Sequence, residues 1–255
     1  MWQTGEPKIV EPYSVLAPIY DHVMSHVDYR GWVDYLFTLF QRNNHVPRNI
    51  LDISCGTGSL MIELIKNGFD PYGVDRSHAM LIQAKKKLKT AGKTHRLIRS
   101  DLINLPVKKV FDTVLSTYDS INYLNSLNKI ASAIQEIMKL VSTGGVFIFD
   151  LCTEHNCRAF FDGTAYTSQC GIFEYSRYSY FQKFDKMQFT NFIIKNTKTG
   201  ETCNERHIQY IYPIEQMYAV LKKTLHHPIY LYKDYTFEPP ADERCERVHF
   251  YIKKE

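Results

Sequence analysis

The stretch "NILDISCGTGSLMIEL", Asn49 to Leu64, sets an acid, Asp52, and two glycines, Gly56 and Gly58, between a short apolar run and a helical pattern. Such a turn can hold a dinucleotide pyrophosphate, a nucleotide phosphate or a ligand without phosphate, and spacing separates the cases. The residue three positions after Gly58 is Met61, which breaks the GxGxxG fingerprint, and no GK[ST] follows as in a phosphate loop. A carboxylate beside the turn would repel a pyrophosphate but can accept hydrogen bonds from an ammonium group. The expected ligand is therefore cationic.

The elements that must position this turn are legible on both sides of it. Ile50, Leu51 and Ile53 make a short buried strand, and Leu60, Met61, Leu64 and Ile65 a helix that ends at Asn67-Gly68. Pro71 to Asp75 reads as a second strand, and Ser77 to Leu88 as a helix capped by Ser77. Thr94 to Ser100 and Val110 to Thr117 read as strands three and four, Leu127 to Leu140 as a helix and Gly145 to Leu151 as strand five. This alternation predicts a parallel sheet covered on both faces, with acids and glycines at the strand ends where open α/β sheets bind ligands. Upstream, Trp32, Tyr35, Leu36, Leu39 and Phe40 have the spacing of an amphipathic helix, so residues 1–48 are expected to be a helical lid.

After Asp150 the pattern changes. Extended aromatic and β-branched runs from Gly171 to Tyr212 predict an antiparallel meander, assigned with its approach to residues 156–212, on the substrate side or at a dimer interface. Pro213 starts a helix with Met217, Val220 and Leu221 on its apolar face, and "IYLYKDYTF" and "RVHFYIKK" complete the core (49–155 and 213–255) as an antiparallel pair.

Composition excludes several classes. A hydrophobic share of 44% with 23% charged residues fits a soluble globular chain, and nowhere do eighteen apolar residues run together. A formal charge of +4 is far from the Lys/Arg stripe of a nucleic-acid binder, and Lys85, Lys86, Lys87 and Lys89 read as the solvated face of a helix. The six cysteines form no CxxC pair and are not grouped with histidine, which predicts no metal and a reducing compartment. With no apolar leader in Met1 to Lys8, the cytoplasm is the expected location.

Leu51-Asp-Ile-Ser-Cys-Gly-Thr-Gly58 resembles the first motif of the class I S-adenosylmethionine-dependent methyltransferases, close to LDLGCGTG, with Ser54 in the place of the first glycine. Further motifs follow in the order that family has them: Tyr72-Gly-Val-Asp75, Ser100-Asp101-Leu102 and "DTVLSTY" from Asp112 to Tyr118. The resemblance implies an α/β fold, a seven-stranded doubly wound, Rossmann-like sheet with an antiparallel β insertion after the fifth strand. It implies S-adenosylmethionine as cofactor and S-adenosylhomocysteine as product. By it, Asp52, Ser54, Cys55, Gly56 and Gly58 form the turn, Asp75 takes the ribose hydroxyls, and Arg76 and Met80 flank the adenine. Ser100, Asp101 and Leu102 read the adenine edge, and Ser116, Thr117 and Tyr118 end the fourth strand.

Tyr13 to Asp21, Val27 to Trp32 and Asp119 to Leu124 look like a bacterial small-molecule subgroup that includes amino-sugar and glycine-type N-methyltransferases. By that resemblance Tyr13 and Trp32 enclose the methionine end, in keeping with the attraction of a sulfonium to aromatic faces. Methyl transfer is an in-line displacement that needs a positioned lone pair and exclusion of water. Candidates to accept a proton are Tyr20, Asp119, Tyr123 and His207, the last alternating with Glu205 and Gln209 on one strand face. Related enzymes usually carry Arg three residues after that histidine, where this chain has Tyr210. The expected partner is a small-molecule acceptor, methylated on N or O by a monomer or homodimer, with no nucleic acid. The alternatives are an RNA or protein methyltransferase, disfavoured by "STYDSINY" after strand four, and a cofactor-binding protein without turnover.

Overall fold

The computed structural model describes residues 7–93, 96–240 and 244–255. The lead Met1 to Glu6 and the expected start of the third strand at Thr94 lie outside the described residues.

The chain enters with β1 (Lys8–Val10), a 3-10 turn at Ala17–Ile19, one turn of helix α1 (Tyr20–Val23) and α2 (Tyr29–Arg42). The α/β core follows as β2 (Ile50–Asp52), α3 (Ser59–Lys66), β3 (Tyr72–Asp75), α4 (His78–Thr90), β4 (Leu97–Arg99), β5 (Phe111–Ser116), α5 (Leu127–Leu140) and β6 (Val141–Cys152). After the short α6 (Glu154–Asn156) come four strands, β7 (Thr164–Cys170), β8 (Phe173–Gln182), β9 (Met187–Asn196) and β10 (Thr202–Tyr210). Helix α7 (Ile214–Thr224), β11 (Ile229–Lys233) and β12 (Arg247–Lys253) end the chain.

Seven strands form the core sheet in the order β11-β12-β6-β5-β2-β3-β4. Strands β2 to β6 are parallel, and β12 runs antiparallel to both β6 and β11. Growth of the sheet reverses at β2: β3 and β4 extend one edge, and β5 then pairs on its other side. The crevice beyond the C-terminal ends of β2 and β5 is the topological switch point, where such sheets bind ligands. Trp32, Val33, Leu36 and Phe40 of α2 and Leu60 and Leu64 of α3 bury one face, and α5 and α7 bury the other through Ile130, Ile134, Ile137, Met217 and Leu221. This is the expected α/β architecture, with the insertion between the fifth core strand and the last helix.

The second sheet has the order β1-β10-β9-β8-β7 and is antiparallel except for β1, which is parallel to β10. Two of its strands differ from the sequence expectation. The N-terminal segment is not helical throughout, because Lys8–Val10 pairs with Cys203–Glu205; three residues are too short for a periodic signal. The meander also begins earlier, at Thr164, because the edge strand β7 (TAYTSQC) is polar and largely exposed, so it lacks the alternation that marks a half-buried strand. Leu16, Ile19 and Val23 pack on Tyr175, Phe192 and Ile194, so the N-terminal segment and the second sheet share one cluster above the crevice. Among the described residues no helix is long and apolar enough to cross a membrane.

Candidate active site

At the switch point a cavity of ≈ 310 Å³ opens above the ends of β2, β3 and β5, and a second of ≈ 110 Å³ lies beneath the second sheet. Tyr13, Tyr20, Tyr118 and Tyr123 line both, so an aromatic boundary joins the two chambers.

The glycine turn floors the larger chamber. The Gly56 amide donates to Asp75 Oδ2 at 2.9 Å and the Cys55 amide to Val74 O at 2.9 Å, which ties the turn to β3. Gly56 has φ +53°, and a Cβ there would meet no atom within 4 Å, since it would project into the cavity. Gly58, at φ +77°, starts α3 where a Cβ would sit 3.3 Å from Ala84 of α4, so the missing side chain lets the two helices approach. Ser54, the departure from the family's glycine, turns its hydroxyl back toward the sheet: Oγ lies 3.2 Å from Ser116 Oγ and bridges the ends of β2 and β5. It therefore joins the sheet ends while still lining the cavity.

Asp52 lies beneath the turn at 1% exposure and accepts the Ser54 amide at 3.1 Å. Burial pushes its carboxyl up to about 7, with the charge of Asp75 adding and the Ser54 amide opposing. Asp75 lines the cavity; burial raises its carboxyl, while the amides of Ser77 and Gly56 hold it down. Arg76, Met80, Ser100, Asp101, Leu102 and Thr117 line the same chamber. Ser77 caps α4 through the Met80 amide at 3.2 Å, and its hydroxyl donates to Tyr13 O at 2.7 Å, so one cap also holds the N-terminal segment over the cavity.

Five expected cofactor-site residues lie outside the lining of the larger cavity: Asp52 and Gly58, which belong to the body of the turn, and Cys55, Ser116 and Trp32. Cys55 packs with Met61, Leu81 and Leu88, and burial raises its thiol, in keeping with a packing role. Ser116 is fully buried below Ser54. Trp32 is 2% exposed and packs edge-on to Tyr235 and His249, outside the lining of the larger cavity. Its indole neighbours the chamber's lining at Tyr118, whose ring centroid is 6.3 Å away.

The proton-acceptor candidates divide. Asp119 borders the smaller chamber, but its carboxylate is held by Arg247, which also pairs with Asp150; a carboxylate so engaged is a structural anchor rather than a free base. Tyr123 and His207 belong to a continuous chain. Tyr13 Oη and Tyr123 Oη are 2.6 Å apart, Tyr123 Oη lies 3.0 Å from His207 Nδ1, and His207 Nε2 lies 2.9 Å from Glu205 Oε1. Glu205, with no exposed surface, also accepts the amides of Tyr13 at 2.5 Å and of Val15 and Leu16 at 3.0 Å. Facing a carboxylate, His207 Nε2 carries its proton, which leaves Nδ1 as the acceptor toward Tyr123. Burial raises the Tyr13, Tyr20 and Tyr123 phenols, so all three remain neutral donors.

Sequence reading missed Glu205 as an anchor, although its alternation with His207 was the available signal. It also missed Lys87 within the lysine run, which pairs with Asp21 at 2.8 Å and donates to Ser59 Oγ at 2.7 Å, pinning α1 to the glycine turn. Nothing local marks Arg247, because its partners lie on β6 and the loop after β5.

Residues 50–145 match the family described as a methyltransferase domain. YqeM of Bacillus subtilis (strain 168), provisionally described as a methyltransferase, is 24% identical over 245 residues, 95% of this chain and 97% of that one. A crystal structure of an S-adenosylmethionine-dependent methyltransferase from Clostridium acetobutylicum ATCC 824 is 26% identical, covers 95% of this chain and 98% of its own, and superposes with a TM-score of 0.78. The sugar N-methyltransferase KedS8 from Streptoalloteichus sp ATCC 53650 shares the fold at 19% identity, a TM-score of 0.74 and coverage of 99% and 97%. Strand order, the glycine turn at the switch point and the matched domain agree: residues 50–145 are a methyltransferase domain, and the chain as a whole has the fold of the S-adenosylmethionine-dependent methyltransferases.

Proposed function

We propose that the protein transfers the methyl group of S-adenosylmethionine to an N or O atom of a small-molecule acceptor, with cofactor in the larger chamber and acceptor in the smaller. The observation that carries this reading is the juncture of the chambers at four tyrosines, one of which continues into the Tyr123–His207–Glu205 chain. The residues fit the cofactor: Asp75 offers a cavity-lining carboxylate whose partners are backbone amides, and Gly56 leaves open the volume that a side chain would fill.

In this reading Asp75 accepts the ribose hydroxyls, Arg76 and Met80 flank the adenine, and Asp101 takes a hydrogen bond from its amino group. When bound, the sulfonium supplies the electrophilic methyl: the acceptor lone pair forms the new bond, and the pair of the broken S–C bond stays on sulfur. The tyrosine ring surrounds that centre with neutral aromatic surface, which attracts a cation and keeps out water. The acceptor's proton leaves through Tyr123 Oη to His207 Nδ1, and the imidazolium so formed faces the Glu205 carboxylate.

Calorimetry is expected to show binding of both S-adenosylmethionine and S-adenosylhomocysteine, and a panel of amines, amino sugars and phenols to yield a methylated product. Binding of neither cofactor form would overturn the proposal; binding with no product across the panel would favour a cofactor-binding protein without turnover.

A pH dependence follows from Asp52. Its carboxyl titrates at about 7 in the ligand-free fold, beneath the turn that floors the larger chamber, and a cation seated above that turn favours the ionised form, so binding below that pH releases a proton. Affinity for S-adenosylhomocysteine is expected to rise between pH 5.5 and 7, by up to about tenfold per unit, and Asp52→Asn is expected to flatten the curve. The ligand-free fold shows the opposite sign. A carboxyl raised on folding makes the unfolded state the poorer proton binder, so this group's contribution to stability falls as pH rises from its unfolded value of 3.8 to about 7.

A further inference from the structure

The face of the second sheet that covers the smaller chamber sets polar side chains among apolar ones. Register sets Arg177, Phe192 and Glu205 in one row across β8, β9 and β10, Ser179, Thr190 and His207 in the next, and Gln188 opposite Gln209 in a third. Arg177, Gln188, Thr190, His207 and Gln209 all line the chamber. Two polar atoms in this lining are enclosed and unpartnered among the described residues: Arg177 Nε, a donor, and Gln188 Oε1, an acceptor. The Gln188 amide nitrogen is already spent on Phe189 O at 3.0 Å.

Arg177 also has no counter-ion among the described residues. Its guanidinium carbon lies 5.0 Å from the Phe161 ring, 5.8 Å from Tyr166 and 6.0 Å from Phe192. Aromatic neighbours satisfy the faces of a guanidinium but leave its fork of N–H groups unmet. Three acids around the chamber are engaged elsewhere: Asp119 with Arg247, Glu205 with His207 and the Tyr13, Val15 and Leu16 amides, and Asp162 with the Phe181 amide at 2.9 Å. Arg177 is half-buried, and its enclosed Nε has given up water without gaining a partner, a cost that an anion seated in the chamber would relieve.

We propose that Arg177 is the binding subsite for an oxyanion carried by the methyl acceptor, a carboxylate or a phosphate, and that Gln188 Oε1 takes a hydrogen bond from a hydroxyl or amino group on the same molecule. The acceptor is then a small anionic amine or alcohol, with its acid at the β8 end and its nucleophile at the tyrosine boundary. This inference rests on the assignment of the smaller chamber to the acceptor.

The test uses the full chain saturated with S-adenosylhomocysteine and titrated with 4-aminobutyrate, O-phosphoethanolamine and ethanolamine, which keep the amine and change the anion. At least one oxyanion-bearing amine is expected to bind and ethanolamine not to; the one that binds distinguishes carboxylate from phosphate. Arg177→Met is expected to weaken that binding by about tenfold or more, Arg177→Lys by less, with S-adenosylhomocysteine affinity as the measure of an intact fold. Equal binding of ethanolamine, failure of both anionic amines, or an Arg177→Met protein that binds them undiminished would overturn the subsite. Failure of S-adenosylhomocysteine to bind the unaltered protein would strike the proposed function instead.

Discussion

Arg247→Met is expected to destabilise the protein by about 3–5 kcal/mol, read as a lower urea midpoint at unchanged m-value. Arg247 opens β12 with its side chain 12% exposed, between the carboxylates of Asp119 and Asp150. Those carboxylates have a second task. Asp150 Oδ1 accepts the Tyr118 amide at 2.6 Å and Oδ2 the Asp119 amide at 3.1 Å, and these two residues hold φ of +65° and +61°. A non-glycine residue in the left-handed region costs about 1–2 kcal/mol, so the turn that presents Tyr118 to both chambers depends on this support.

Removing the guanidinium leaves two buried anions facing each other with nothing to neutralise them. Burial already raises the Asp150 carboxyl, so protonation relieves the repulsion: the destabilisation of Arg247→Met is expected to shrink as pH falls from 8 to 5. Replacing the group together, as Asp119→Asn, Asp150→Asn and Arg247→Met, is expected to recover part of the loss. A single variant as stable as the unaltered protein at pH 8 would show that the ion pairs contribute nothing to the fold.

The elements around the site were legible in sequence to the extent that their signal is local. Helix α5 occupies Leu127–Leu140 and α4 begins after its Ser77 cap because apolar period and capping chemistry are written within single stretches. The strands β2, β3 and β5 follow from short apolar runs, and the order of the motifs at their ends, matched to the methyltransferase family they resemble, is what points to Asp75, Ser100 and Thr117, all of which line the cavity. Contacts between distant segments leave no such mark. Asp119 reads as a free carboxylate until β12 delivers Arg247 to it, and Trp32 reads as a cofactor wall until α2 turns it toward Tyr235 and His249. Lys87 was indistinguishable from its solvated neighbours, since only the fold brings Asp21 to that face of α4.

Glu205→Ala is expected to lower kcat by about 100-fold or more and to release the N-terminal segment, with a smaller loss of global stability. One carboxylate links both effects. It holds the backbone amides of Tyr13, Val15 and Leu16, and the same side chain accepts from His207 Nε2. Tyr13 itself has φ +63°, a conformation that a tyrosine keeps only under such restraint. Without Glu205 the three amides need water, which the buried site admits only if the segment lifts, and each amide left unpaired would cost about 1–3 kcal/mol. Lifting the segment carries away Tyr13 and Tyr20 from the boundary between the chambers and frees the imidazole to rotate. Limited proteolysis is therefore expected to cleave the alanine variant between residues 11 and 28 at conditions that leave the unaltered chain intact, and saturating S-adenosylhomocysteine to slow that cleavage. Glu205→Gln is the informative contrast. Its carbonyl can still accept from one donor, so partial protection with kcat still depressed would separate anchoring of the segment from orientation of His207. If Glu205→Ala kept both protease resistance and kcat, then neither the clamp nor the chain through His207 would contribute to turnover, and proton removal would have to be left to solvent.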